Sequence, residues 1–390
     1  MYTAVSLFSG IGGIEHGLAR HGFHTRLFCE IDPLAGAILK KNFKKTRFKT
    51  DINDLTELPR CDIVTAGFPC QDLSQAGAKQ GIGGAKSGLV RKLFELVRHV
   101  PENRRPEWML IENVPYMLRL NRGQAMSSLT RSLAGLGYQW AYRVVDARCF
   151  GLPQRRPRVV LLAARTSDPV NVLFDDDFKK PDLDGKPFDI DKKSSYGFYW
   201  TEGSRGVGWV REGVPPIKCG STLGIASPPA VWNPRRDFVG TIDIVDAERL
   251  QGFDPGWTDF SNAGVKGKPS FRWRLVGNAV SCRLSSWVGS RLVAPGVGKR
   301  DGSPIVPNEP WPDAAWGQGK EAWAIEVSRW ASDATQERLS EFLSEPLKPL
   351  SARATDGFLR RAQVCTNVVY SPNFIRSLGR HSARQPTQAT

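Results

Sequence analysis

Three groups of side chains in this sequence are of types, and at spacings, that could do chemistry. Cys70 stands in Gly67-Phe68-Pro69-Cys70-Gln71, directly after an apolar run at 62–66. A thiol at the end of a buried strand, held by a rigid proline, can act as a nucleophile once ionised. A lone cysteine is more often a buried structural thiol. Here the polar stretch Gln71-Asp72-Leu73-Ser74-Gln75-Ala76-Gly77 favours an exposed loop over a core position. Glu112 closes a second apolar run in Ile111-Glu112-Asn113-Val114-Pro115. A carboxyl there can be a general acid if burial raises its pKa; alone, it would read as a helix cap or a surface ion pair. Gln154-Arg155-Arg156-Pro157-Arg158 sets three guanidiniums in four positions, which suits a phosphate or a pyrimidine carbonyl, or a solvated surface.

A fourth feature binds rather than reacts. Phe8-Ser9-Gly10-Ile11-Gly12-Gly13 follows an apolar run at 4–8 and opens a helical pattern. Small residues there let the backbone approach a ligand, and the helix start favours an electronegative group. The dinucleotide fingerprint is incomplete, because position 15 is Glu and not Gly. Glu30 ends the next strand about 20 residues on, where a ribose-binding carboxylate belongs. With Asp51-Ile52 after a further short strand, these residues favour a nucleoside-bearing cofactor over a plain turn.

These positions require strands and helices in alternation. Strand patterns at 4–8, 25–30, 62–66, 108–111 and 158–164 alternate with helical patterns at 33–43, 88–100 and 121–136. Such alternation predicts an α/β fold with a doubly wound, largely parallel sheet. From about 166 to 240 the chain turns Gly-, Ser- and Trp-rich, as in a small irregular β-rich unit. Regular patterns return at 243–250 and 274–292. A Gly/Pro-rich linker at 295–312 then leads to helical patterns at 320–332, 335–344 and 356–364, and the tail from 380 reads as frayed.

The chain has 390 residues, 41% of them hydrophobic, which suffices for a substantial core. Lys and Arg number 54 against 39 Asp and Glu, and the resulting charge of +15 favours a polyanionic partner. No stretch approaches a membrane span, and the start lacks a secretory pattern, so no membrane association is expected. Seven cysteines without a Cys-x-x-Cys pair argue against a disulfide framework or metal site and for a reducing cytoplasm.

Taken in chain order, these pieces resemble the DNA cytosine-5 methyltransferases of bacterial and phage type, over residues 3–292. Phe8–Gly13 is similar to that family's cofactor loop, and Gly67–Gln71 to its Pro-Cys loop. Glu112-Asn113-Val114 is similar to its Glu-Asn-Val motif, and Gln154-x-Arg156-x-Arg158 to its Gln-x-Arg-x-Arg motif. Arg249-Leu250-Gln251-Gly252-Phe253 and Gly277-Asn278-Ala279-Val280 are similar to its last two motifs.

The resemblance implies a class I S-adenosylmethionine-dependent methyltransferase fold with a mixed sheet. It implies a catalytic unit at 1–165 and 241–295 and a β-rich target-recognition unit at 166–240. The 296–390 extension, expected to be helical and to pack on the catalytic unit, has no counterpart in minimal members. S-adenosylmethionine would meet Phe8, Ser9, Gly10, Ile11, Gly12, Gly13, Glu30 with Ile31, Asp51 with Ile52, Pro69, Asn278 and Ala279. Cys70, Glu112, Arg156 and Arg158 would carry the reaction. Gln71, Ser74, Gln154, Thr222, Leu223 and Arg235 would meet double-stranded DNA. A monomer is expected, with a cognate restriction endonuclease as a further partner. A tRNA methyltransferase of the same fold, an inactive DNA-binding regulator and a nicotinamide oxidoreductase fit less well. The first lacks its Cys-Phe-Thr signature, the second keeps an intact Cys70, Glu112 and Arg158, and the third lacks a full glycine fingerprint.

Overall fold

Parallel strands need crossovers, and the helical patterns of the first half supply them. The structure is a computed structural model that describes residues 1–68, 88–183, 189–202, 206–220, 226–366 and 368–385. Pro69, Cys70, Gln71, Ser74, Thr222 and Leu223 therefore lie outside the described residues. Strands β1 (Tyr2–Leu7), β2 (Phe23–Cys29), β3 (Arg47–Lys49), β4 (Ile63–Ala66) and β5 (Trp108–Asn113) run parallel, with α1 (Gly13–Ala19) and α2 (Pro33–Asn42) as the first two crossovers. Asp32 caps α2 through the Leu34 and Ala35 amides, and Pro33 takes the first helical position. Two further helices, α3 (Gly88–His99) and α4 (Gln124–Ala134), bury Leu93, Phe94 and Val97, and Met126 and Leu129, against the sheet.

One strand escaped the periodicity. β6 (Gln139–Asp146) pairs antiparallel with β7 (Pro157–Ala164), which slots antiparallel beside β5. Both are almost wholly buried, so β6 shows no in–out alternation to read. A short helix, α5 (Pro169–Leu173), buries Val170, Val172 and Leu173 in the same core, although the composition changes before it.

The second sheet is antiparallel: β8 (Tyr196–Phe198), β9 (Val210–Arg211), β10 (Ala230–Asn233) and β11 (Phe238–Thr241). The chain then returns to the large sheet through α6 (Ile244–Leu250), α7 (Phe271–Asn278) and α8 (Cys282–Val293). A regular pattern was expected at 274–292. The structure interrupts it, because Ala279 and Ser281 are extended. That break turns Asn278 and Ala279 toward the strand ends.

The C-terminal residues depart most from expectation. Where a helix was predicted at 320–332, β13 (Ala314–Gln318) and β14 (Glu321–Ala324) form a hairpin, following β12 (Ser303–Pro304). Trp316 and Trp323 stack across it at 4.2 Å, a cross-strand pair of the kind that stabilises a hairpin. β13 pairs with β6, so the large sheet runs β12-β14-β13-β6-β7-β5-β4-β1-β2-β3. After α9 (Leu339–Phe342), β15 (Lys348–Pro349) adds to the edge of the small sheet. Helices α10 (Ala352–Gln363) and α11 (Pro372–Arg384) then bury Phe358, Phe374 and Leu378 against Tyr196, Phe198 and Trp232. Each such side chain contributes about 1.5–3 kcal/mol on burial. The tail from 380 is not frayed as far as Arg384: His381 is buried, its Nδ1 accepting from the Val239 amide at 3.3 Å while Nε2 lies 2.9 Å from the Leu350 carbonyl. The extension thus packs on both units: its first part widens the catalytic sheet and its second completes the small core.

Candidate active site

Ligands of an open α/β sheet gather outside the carboxyl ends of its strands. A cleft of about 740 Å³ opens there, walled by the ends of β1, β2, β4 and β5, the start of β7 and the break between α7 and α8. That volume suits a small cofactor together with part of a second ligand.

At one end of the cleft the glycine turn leaves β1. Phe8, Gly10 and Gly12 all have positive φ, and the Ser9 amide donates to the Cys29 carbonyl at 3.2 Å. Gly13 must lack a side chain, because a Cβ there would stand 2.2 Å from the Val280 carbonyl oxygen. Glu30 accepts from the Gly10 and Asp32 amides, each at 2.7 Å, which ties the end of β2 to the turn. Burial raises its pKa, and those amides pull it back. Asp51 caps the turn at 52–54 through the Asn53 amide at 2.9 Å. Phe8, Ser9, Gly10, Ile11, Gly13, Glu30, Ile31, Asp51, Ile52, Asn278 and Ala279 all line the cleft. Gly12 does not; it backs the wall against Phe43 and Leu39.

At the other end Glu112, last but one in β5, meets Arg158 of β7 with an Oε1–Nε distance of 2.9 Å. Antiparallel pairing of β5 with β7 is what brings the two strands' ends together. Burial pushes the Glu112 carboxyl up, against the pull of Arg158 and Arg156. Arg156 is buried and donates from Nη2 to the Gly277 and Ala279 carbonyls at 3.0 and 2.7 Å, which clasps the helix break. Its Nε and Nη1 have no partner among the described residues. Burial first, and Arg158 next, lower its pKa. Asn113 donates to the Phe68 carbonyl at 2.9 Å, anchoring the chain just before Pro69.

Gln154 is corrected by the structure. It was expected at the DNA, yet it is fully buried and donates to the Leu250 carbonyl at 3.0 Å, beside Gln251. It joins two motifs to one another and does not face the cleft. Arg235 is exposed in the turn between β10 and β11, away from the cleft lining. Sequence reasoning did not single out Glu15, Tyr116 or Cys219, which line the cleft together with Lys218. Lys218 lies 3.8 Å over the Tyr199 ring, and the Cys219 Sγ lies 2.7 Å from the Asn278 Oδ1. The small unit thereby supplies part of the wall. The one available signal for Cys219 was position, directly before Gly220-Ser221-Thr222-Leu223-Gly224. Among the described residues no group of three or more His, Cys, Asp or Glu could hold a metal, and no helix is long and apolar enough to cross a membrane.

Comparison with known proteins bears on this arrangement. The family model for C-5 cytosine-specific DNA methylases matches residues 2–205. The chain is 60% identical over 382 residues to the type II methyltransferase M2.BsuMI of Bacillus subtilis (strain 168), covering 98% of each. It is 36% identical over 171 residues to the type II methyltransferase M.BanI of Aneurinibacillus aneurinilyticus, covering 42% of this chain and 39% of that one. Among solved structures, the S. pombe Dnmt2 methyltransferase superposes with a TM-score of 0.57 at 20% identity, over 75% of this chain and 98% of that one, a likeness of fold. With a family match across half its length and a relative of high identity across nearly all of it, the chain belongs to the C-5 cytosine-specific DNA methylases and is a DNA (cytosine-5) methyltransferase.

Proposed function

We propose that the protein methylates C5 of a cytosine rotated out of duplex DNA, using S-adenosylmethionine and a transient bond between Cys70 and C6 of the ring. The observation that carries this reading is that the Glu112–Arg158 pair and the glycine turn open on one cleft. The residues suit the cofactor. Glu30 and Asp51 are acceptors at the strand ends for a nucleoside, Ile31 and Ile52 are apolar neighbours for its base, and the backbone of 8–13 leaves room for the rest. Pro69, Asn278 and Ala279 complete that set. When bound, S-adenosylmethionine supplies the electrophilic methyl that C5 takes up.

Cytosine C5 is too weak a nucleophile for direct transfer. The Cys70 thiolate adds to C6 and converts the ring to an enamine, with electron density at C5. Glu112, whose burial favours the protonated form, holds the proton at N3 as negative charge builds there. Arg158 and Arg156 stabilise charge at O2 and the nucleotide's phosphate through a preorganised, buried fork. After C5 is alkylated its proton leaves to water, and the C6–S bond breaks to restore aromaticity and the thiolate. A stacked base cannot reach these groups, so it must leave the helix. Gln71 and Ser74 line the gap. Thr222, Leu223 and Arg235 of the 166–240 unit read the flanking duplex.

The relatives' type II designation supports a place beside a cognate restriction endonuclease; a monomer working in the cytoplasm belongs to the same proposal. The test is bisulfite sequencing of DNA from cells expressing the chain. Protection of one cytosine in one sequence context is expected; full conversion at every cytosine would overturn the reading.

A further inference from the structure

Four carboxyl groups lie at the glycine-turn end of the cleft, and three are already engaged. Glu30 accepts two backbone amides, Asp51 caps a turn, and Asp32 caps α2 and pairs with Arg274 at 2.7 Å. Glu15 differs. It sits in the first turn of α1, 2% exposed, and still contributes to the cleft wall. Its Oε1 accepts from the Thr65 hydroxyl at 2.6 Å, and the Ser6 hydroxyl also bonds its carboxyl. Ser6 and Thr65 are register partners on β1 and β4, so two adjacent strands present hydroxyls to one acid. No Lys or Arg pairs with it among the described residues, and burial raises its pKa.

A buried carboxylate without a cation costs several kcal/mol, so a protein that keeps one either holds it protonated or keeps it for a cationic ligand. A simple core acid would not wall the cleft. The proposed donor carries two positive groups, an α-ammonium and a sulfonium, and among the described carboxyls at this end Glu15 is the one held by side-chain hydroxyls rather than by a turn, a helix cap or an ion pair. We propose that Glu15 is a donor-binding residue whose carboxylate receives a cationic group of S-adenosylmethionine; this rests on the reading of the cleft as a donor site. Its acid comes from the helix after the glycine turn, at the position where the dinucleotide fingerprint would need a glycine.

Equilibrium binding to the full-length protein tests this with three ligands: S-adenosylmethionine, S-adenosylhomocysteine, which lacks the sulfonium, and 5′-methylthioadenosine, which lacks both charges. Glu15→Gln keeps shape and an acceptor for Thr65. It should weaken S-adenosylmethionine by about 10- to 100-fold, the size of one charge-assisted contact, and leave 5′-methylthioadenosine unchanged. A matching loss for S-adenosylhomocysteine assigns the α-ammonium, and its retention assigns the sulfonium. Unchanged S-adenosylmethionine affinity, or an equal loss of the neutral ligand, overturns the proposal. Should the Gln variant fail to fold, Glu15→Asp and Glu15→Asn repeat the comparison: Asp keeps the preference for the charged ligand and Asn loses it, whereas equal preferences overturn it. Failure of the wild-type protein to bind any of the three would instead sink the donor-site reading beneath it.

Discussion

The two ends of the cleft belong to one sheet but carry opposite charges. At the glycine turn, Glu15, Glu30, Asp32 and Asp51 line the cleft, and burial raises the pKa of the first two. At the far end, Arg156 and Arg158 attend a single acid, Glu112, and Lys218 lines the wall. The difference lies in which elements contribute. The acids come from parallel strand ends and the first crossover, whereas the guanidiniums arrive on β7 and the residue just before it, where the sheet reverses direction. One sheet thus carries an acidic wall and a basic wall, which the proposed function assigns to the cationic donor and to the anionic DNA respectively. The antiparallel strand is the device that separates them.

The largest effect that can break this contrast is loss of the acid within the basic end. Glu112→Gln keeps the Arg158 contact but cannot deliver a proton, and it should lower kcat by roughly 10²–10⁴ with little change in DNA affinity. Single-turnover rates at wild-type level would remove Glu112 from proton transfer. Ionic strength sharpens the contrast next. A DNA interface that neutralises about six phosphates should lose roughly 10³-fold in affinity between about 50 and 200 mM salt, while affinity for the methyl donor stays nearly flat. Parallel salt responses for the two ligands would show that the ends are not electrostatically distinct.

The smallest effect concerns the donor-free protein. Burial holds Glu15's pKa above its ordinary 4.5, so the folded state binds that proton more tightly than the unfolded chain. Its contribution to stability is complete below 4.5 and is lost as pH rises through the folded value. Glu15→Gln cannot titrate, so its Tm relative to wild type should rise as pH climbs from below 4.5 through the raised folded value. A Tm difference independent of pH would mean that the buried acid carries no proton-linked cost.

Glu112, Arg156 and Arg158 were readable from the sequence because each closes or opens a buried strand within a contiguous motif. The parallel core was readable for the same reason, as apolar runs alternate with capped helices. Glu15 was not, since a helix residue two positions past the glycines gives no sign that its side chain turns back between Ser6 and Thr65. Lys218 and Cys219 belong to a stretch without period, and long-range contacts fix them at the cleft: Gly277 approaches their backbone, Asn278 meets the Cys219 thiol, and Tyr199 and Glu202 hold Lys218. The small core was hidden by distance along the chain: Trp232 donates to Ser377 at 2.7 Å and packs on Phe374, contacts that no local pattern encodes. Gln154 misled because a polar side chain beside two arginines looks exposed, while its partner Leu250 lies in another motif.

Trapping the enzyme on its substrate tests the central claim most directly. Duplex DNA carrying 5-fluorocytosine at the target cannot release its C5 substituent as a proton. Incubation with S-adenosylmethionine should therefore leave a stable protein–DNA adduct that peptide mapping places on Cys70, and that Cys70→Ala does not form. No adduct on DNA that the wild-type protein demonstrably methylates, or an adduct on another residue, would contradict the account.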